Sequence, residues 1–121
     1  TEESSPFGEL EEPAAAICRR LQRALEALRS EAPPPEAASS LHTLLKIIRN
    51  VIEHPEETKF RRLRKANPLI QRHVASYQAA MEVLAVVGFC EDVVAEEAFI
   101  VLKRNDPGLL WLAKSTLEVR L

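Results

Sequence analysis

Apolar residues recur at three-four spacing through most of this chain. Ile17, Leu21, Leu25 and Leu28 mark one face of a helix over 14–30, with Arg19, Arg20, Arg23 and Arg29 available for the other. Glu12 and Pro13 suit its start, because proline at the first helical position has no amide hydrogen to leave unpaired. Ala32 to Pro35 then ends it, since three consecutive prolines favour extended backbone. Leu41, Leu44, Leu45, Ile48, Val51 and Ile52 predict a second helix over 40–53, capped by Ser39 and Ser40 and closing near His54 and Pro55. A short third helix is expected within 56–65, with Phe60 and Leu63 inward, and Asn67-Pro68 opens a fourth carrying Leu69, Ile70 and Val74. Tyr77, Ala80, Met81, Leu84 and Val87 continue the period to Gly88, which can end a helix in the left-handed conformation, and Phe89 then folds back on the last turn.

Beyond Gly88 the pattern shortens. Val93 to Ala95 and Ala98 to Leu102 are β-favouring runs around Glu96-Glu97, the pattern of a hairpin. Asp106-Pro107 supplies a cap and first residue for a last helix with Leu109, Leu110, Trp111, Leu112 and Leu117, in which Trp111 reads as a partly buried core aromatic. The predicted fold is mostly α, in the α+β class: a compact helical domain over 13–121 with a small β-hairpin or sheet between the last two helices. Residues 1–12, five glutamates among Ser, Pro and Gly, read as a disordered acidic lead-in.

Composition narrows the function. One domain fits 121 residues, and a net charge of -2 gives the whole molecule no strong pull toward polyanions. Cys18 and Cys90 stand 72 positions apart without zinc or redox spacing and read as buried structural thiols. Apolar runs are too short for a membrane helix, and the acidic start has no signal-peptide order, so a cytoplasmic or nuclear location is expected. P-loop, GxGxxG and HExxH motifs are missing, and His42, His54 and His73 are dispersed, so neither cofactor nor metal is expected. Glu56-Glu57 and Glu91-Asp92 are explained by turns and first helical turns without catalysis. A binding module is the reading that survives.

The local signal lies between Lys59 and Arg72, where Lys59, Arg61, Arg62, Arg64, Lys65 and Arg72 run without an acidic residue. From charge alone this is a solvated face; as a binding surface it suits a carboxylate-bearing peptide, because arginine offers a carboxylate a bidentate fork. A nucleic-acid reading is weaker, with only Phe60 and Tyr77 nearby for stacking and no helix-turn-helix or RNP pattern.

The run KFRRLRKANPLI followed by AMEVLAVVGF resembles the PUB (PUG) domain of peptide N-glycanase, a UBX-domain cofactor and the linear-ubiquitin ligase. The likeness covers Leu41 to Leu117 and keeps the order Asn50, Phe60, Arg64, Asn67, then Gly88-Phe89. It implies a non-enzymatic adaptor whose pocket takes the acidic, aromatic-ended C-terminal tail of the AAA ATPase valosin-containing protein, with a deubiquitinase peptide as a second candidate ligand. Carried over by position, Asn67 would bond the peptide main chain with Asn50 in support, and Arg64 and Lys59 would face its carboxylates. Phe60, Leu69 and the Gly88-Phe89 corner would wall the slot for its aromatic ring. The alternatives in other classes are a nucleic-acid-binding domain using the basic stripe and an inert accessory of a larger enzyme. With no large exposed apolar stripe in view, a monomer is expected.

Overall fold

The computed structural model describes the backbone from Pro6 to Leu121 and the side chains from Ala14 onward. Residues 1–5 of the expected lead-in lie outside the described residues, whereas Pro6 to Glu12 belong to helix α1, Pro6–Glu31, which thus begins before the predicted 14–30. Helix α2, Pro34–Glu53, also begins early. The proline run interrupts the chain only at Ala32 and Pro33; Pro34 and Pro35 then form the first turn of α2, where a fixed φ and a missing N–H cost nothing. Ser39 and Ser40 are therefore interior residues rather than caps, and Ser40 is fully buried.

The short helix expected in 56–65 is replaced by a 3₁₀ turn, Thr58–Arg61, and strand β1, Arg62–Arg64. The 3₁₀ turn does bring Phe60 and Leu63 onto the core, but the alternation of exposed Arg62 and Arg64 with half-buried Leu63 is a two-residue period that six closely spaced charges obscure in the sequence. Helix α3, Pro68–Ile70, passes directly into a π-helical stretch, Gln71–Ala75. Helix α4, Gln78–Val87, ends at Gly88 with φ 112°, the predicted left-handed cap.

The hairpin is longer than expected: β2, Phe89–Val94, and β3, Glu97–Leu102, join through Ala95 and Glu96, which have φ 53° and 67°. Two successive positive φ values make the tight hairpin turn whose twist matches that of the strands. β1 adds to the other side of β3, giving an antiparallel sheet in the order β1-β3-β2 with Leu63 opposite Ile100 and Phe89 opposite Leu102. That inner row faces the helices. Helix α5, Pro107–Arg120, is capped by Asp106, whose Oδ1 accepts from the Leu109 amide at 3.2 Å.

α4 is apolar nearly all round, with Ala79, Ala80, Val83, Leu84, Val86 and Val87 buried, and α1, α2, α5 and the sheet enclose it. Tyr77 gives α4 no side-chain cap, and Glu31 at the end of α1 supplies one instead, its Oε1 accepting from the Ala79 amide at 3.2 Å. Arg20 to Glu82 at 2.9 Å and Arg49 to Glu118 at 3.0 Å tie α1 to α4 and α2 to α5. Two expectations about side chains fail. Trp111 is 52% exposed under the Lys114 ammonium, 4.5 Å from its ring, because the buried stripe of α5 runs through Leu110, Ala113 and Leu117. Cys18 is half-buried and Cys90 exposed, the latter because it lies on the outward row of β2.

Two predictions follow from left-handed positions and one from charge. Gly88→Ala would place a Cβ 3.1 Å from the Arg104 carbonyl oxygen at a φ that side chains avoid, and should lower stability by more than about 1 kcal/mol. Glu96→Gly relieves the same kind of strain and should raise stability, by about 1 kcal/mol, both being read from urea midpoints at unchanged slope. Hydrogen bonds from Arg49 and Lys114 hold the Glu118 carboxyl below the usual carboxylate range, so its contribution is present at neutral pH and is lost as pH falls through that lowered value. The melting-temperature gap between the parent and Glu118→Gln should therefore shrink toward zero on acidification to about pH 3.

Candidate functional site

Most of the residues singled out in the sequence lie on one continuous path from the end of α2 to the start of α3. Asn50 is half-buried in the last turn of α2, and its carbonyl accepts from the His54 amide at 2.9 Å, which closes that helix. The chain then reverses: Arg61 donates to the Pro55 carbonyl at 3.0 Å, and the 3₁₀ turn lays Phe60 against the His54 ring with centroids 5.1 Å apart. Lys59 stands over the Phe60 ring, its Nζ 5.2 Å from the centroid.

β1 leads out of this turn to Arg64, and the Asn67 amide donates to the Arg64 carbonyl at 3.1 Å, so strand end and helix start form one tight corner. Asn67 caps α3 with its side-chain oxygen, Oδ1 accepting from Leu69 at 3.0 Å and from Ile70 at 3.3 Å. With Oδ1 occupied, the exposed Nδ2 remains as a donor directed by a rigid backbone. Leu69 is 61% exposed on the first turn of α3 while Ile70 is buried, so the site has an apolar residue beside a fixed amide.

Gly88 and Phe89 are placed differently. Phe89 is 3% exposed and belongs to the core, and Gly88 is required by the close approach of the Arg104 carbonyl and Leu102. β3 separates this corner from β1, with Phe89 opposite Leu102 and Arg62 opposite Val101. The corner and the Phe60 turn therefore share one end of the sheet, two strand spacings or about 10 Å apart.

The basic stripe is largely neutralised from within. Arg64 pairs with Glu97, Lys65 with Glu91 at 2.7 Å and Arg72 with Glu36 at 3.3 Å. Among the described residues, Lys59 and Arg62 meet no carboxylate; each lies over a ring instead, Arg62 5.1 Å from the centroid of Phe99. A continuous polyanion would find no continuous positive face here, whereas one or two carboxylates beside an aromatic could be met by Lys59 and Arg62.

His54, Arg62 and Phe99 thus join the neighbourhood, although the sequence marked Arg62 only as part of the basic stripe, His54 only as a helix end and dispersed histidine, and Phe99 not at all. His54 reaches Phe60 only because the 3₁₀ turn folds back, and the Arg62–Phe99 contact is a diagonal across β1 and β3 that needs the third strand.

Among the described residues no group of His, Cys, Asp and Glu side chains could hold a metal ion. Among the described residues no helix is long and apolar enough to cross a membrane.

A family model for the PUB domain matches residues 35–115, which takes in α2 through most of α5 and leaves α1 outside. The chain is 35% identical over 71 residues, 59% of its length, to UBX domain-containing protein 6 of Caenorhabditis elegans. It is also 35% identical over 51 residues, 42% of its length, to plant UBX domain-containing protein 2 of Arabidopsis thaliana. The matched stretches make up 16% and 11% of those proteins, so the chain corresponds to one segment of much longer relatives.

Asn67→Ala removes both capping bonds and should cost about 1 kcal/mol, visible as a lower melting temperature, whereas Asn67→Asp keeps an accepting oxygen at the cap and should melt like the parent.

Proposed function

The chain belongs to the PUB-domain family, a family of protein-interaction modules rather than catalysts, and from that premise we propose that its Asn50-to-Leu69 path captures the acidic, aromatic-ended C-terminal tail of the ATPase valosin-containing protein. The module thereby brings its parent protein to that ATPase in ubiquitin-dependent quality control, in the cytoplasm or nucleus. The observation that carries the reading is Asn67: its oxygen is consumed by the chain's own helix, so its Nδ2 is held in one direction beside exposed Leu69, on the same path as Phe60.

In this mechanism Nδ2 of Asn67 donates to a main-chain carbonyl of the tail, and the Asn50 amide supports the same segment from α2. The tail's aromatic ring lies against Phe60 and Leu69. Lys59 takes the first carboxylate. Arg64 serves a second only by sharing its guanidinium with Glu97, so its contribution is to steering more than to final affinity. Phe89 acts from behind, filling the core under the corner that Gly88 makes, and does not touch the peptide. A deubiquitinase peptide of the same chemistry would compete for the same path.

The test is a titration of a labelled tail peptide beside a version lacking its last residues. Saturable binding in the micromolar range, about -8 kcal/mol, that disappears on truncation is expected. Asn67→Asp should abolish that binding without lowering the melting temperature, because it keeps the cap and removes the donor. Equal binding by parent and Asn67→Asp would refute the assignment. Phosphate on the peptide's aromatic residue should weaken binding at least tenfold, since the added charge must leave water against Phe60 and Leu69.

A further inference from the structure

We propose that the open edge of β2 is a second docking site, which takes an extended strand of a partner protein carrying two adjacent basic residues between apolar ones. β2 pairs with β3, and among the described residues no strand lies on its other side. The Lys103 amide donates to the Gly88 carbonyl at 3.1 Å, and along an antiparallel ladder bonded pairs alternate with non-bonded ones. Cys90, Asp92 and Val94 therefore bond to β3, whereas Phe89, Glu91 and Val93 direct their backbone groups away from it. The Val93 amide is taken by Asp92, whose Oδ1 accepts it at 2.8 Å. The amide and carbonyl of Glu91 have no such partner among the described residues, and an added strand can exchange both bonds with them.

The side chains along this edge define the strand that fits. By alternation Glu91 and Val93 share the inner row with Phe89. Beside that row, between β2 and α4, runs a groove of about 450 Å³ with Leu84, Phe89 and Ile100 at its floor and Met81 and Ala85 on its α4 wall. A fourth strand would carry the inner row out over this groove, so its residues facing Phe89 and Val93 are apolar. Val93 is 69% exposed without them.

Charge sets the positions in between. β2 bears Glu91 and Asp92 and no cation, and Glu82 stands at the groove on α4. Their internal partners arrive from other directions: Lys65 and Lys103 reach Glu91 and Asp92 at 2.7 and 2.9 Å from the β1 and β3 side, and Arg20 reaches Glu82 at 2.9 Å from α1. A carboxylate has two oxygens and several lone pairs, so acceptors are still presented on the open side. Glu96, in the adjoining turn, meets no cation among the described residues. Antiparallel to β2, the complementary strand reads apolar, basic, basic, small, apolar against Val93, Asp92, Glu91, Cys90 and Phe89.

A second copy of β2 is a poor occupant. Full antiparallel pairing of two copies sets Glu91 against Asp92 twice, and like charges directly opposite repel. The edge is also separate from the Asn67 path, because β3 stands between β2 and β1, and the proposal does not rest on the reading of that path.

The probe is an acetylated and amidated peptide, Thr-Val-Lys-Arg-Ser-Leu-Thr, titrated into the full chain and followed by amide NMR. A dissociation constant below about 500 μM is expected, and peptide at about ten times that constant should slow exchange of the Glu91 amide about tenfold. The same residues reordered as Lys-Ser-Val-Leu-Thr-Thr-Arg, or with Glu-Glu in place of Lys-Arg, should bind at least tenfold more weakly. Glu91→Pro removes the outward amide without touching the β3 ladder, so it should melt close to the parent and lose at least tenfold in affinity. Should that variant fail to fold, Glu91→Lys with Asp92→Lys should invert the preference between the Lys-Arg and Glu-Glu peptides. Asn67→Asp should bind the probe as the parent does. No saturable binding at about 1 mM, equal binding of the reordered peptide, a folded Glu91→Pro that binds like the parent, or loss of the probe in Asn67→Asp would each overturn the proposal. Protection of the Glu91 amide by dimerisation of the parent alone would overturn the choice of occupant.

Discussion

The fold is organised around keeping one ten-residue helix out of water. α4 carries apolar side chains on most of its surface, and only a narrow stripe through Gln78, Glu82 and Ala85 reaches solvent. Its cover has to come from several directions at once: α1 lengthwise, α2 and α5 from the other side, and the sheet at its C-terminal end. Even one of its first amides, that of Ala79, is satisfied from outside, by the Glu31 carboxylate of α1. α1 lies beyond the residues that match the family, yet it packs along α4 with Leu21, Ala24, Leu25 and Leu28 all buried. In this chain it is structural as well as additional.

From α4 the path to the proposed peptide-binding corner is a chain of backbone constraints. Gly88 turns the chain sharply enough for β2 to start at once, β2 fixes β3 through a two-residue turn, and β3 fixes β1 by register. Lys65, just after β1, still donates its amide to Ala98, and two residues later Asn67 caps α3. The side-chain amide proposed to meet a peptide carbonyl is thus built on strand pairing and a helix cap rather than on a loose loop, an arrangement that would lower the ordering cost at binding.

Helices were legible in the sequence because their apolar period is long and their ends carry chemical signals: Asn67-Pro68, Gly88 and Asp106-Pro107 all do in the structure what their residue types suggest. Two kinds of feature were hidden. Proline was read as a stop at Ala32 to Pro35, although at the first positions of α2 it is compatible with helix, so a start was mistaken for a break. β1 was hidden because three residues are too few for a period to declare itself and because its existence depends on a partner 35 to 39 positions away. The over-reading of the basic stripe traces to that strand, whereas the burial of Phe89 comes from its place on the inner row of β2. Without β1, neither the pairing of Arg64 with Glu97 nor the contact of Arg62 with Phe99 can be seen, and the basic stripe looks more available than it is.

That internal pairing bears on how such a module selects its ligand. If all six basic residues faced solvent uncompensated, any polyanion would bind, and discrimination would rest on a field that salt removes. With Glu97, Glu91 and Glu36 holding three of them and Arg61 donating to the Pro55 carbonyl, Lys59 and Arg62 sit beside aromatic rings, and the proposed ligand would gain from them only when its carboxylate arrives in register with an apolar side chain. Charge then acts as a positional filter, and the binding energy has to come from the apolar contact and the directed amide.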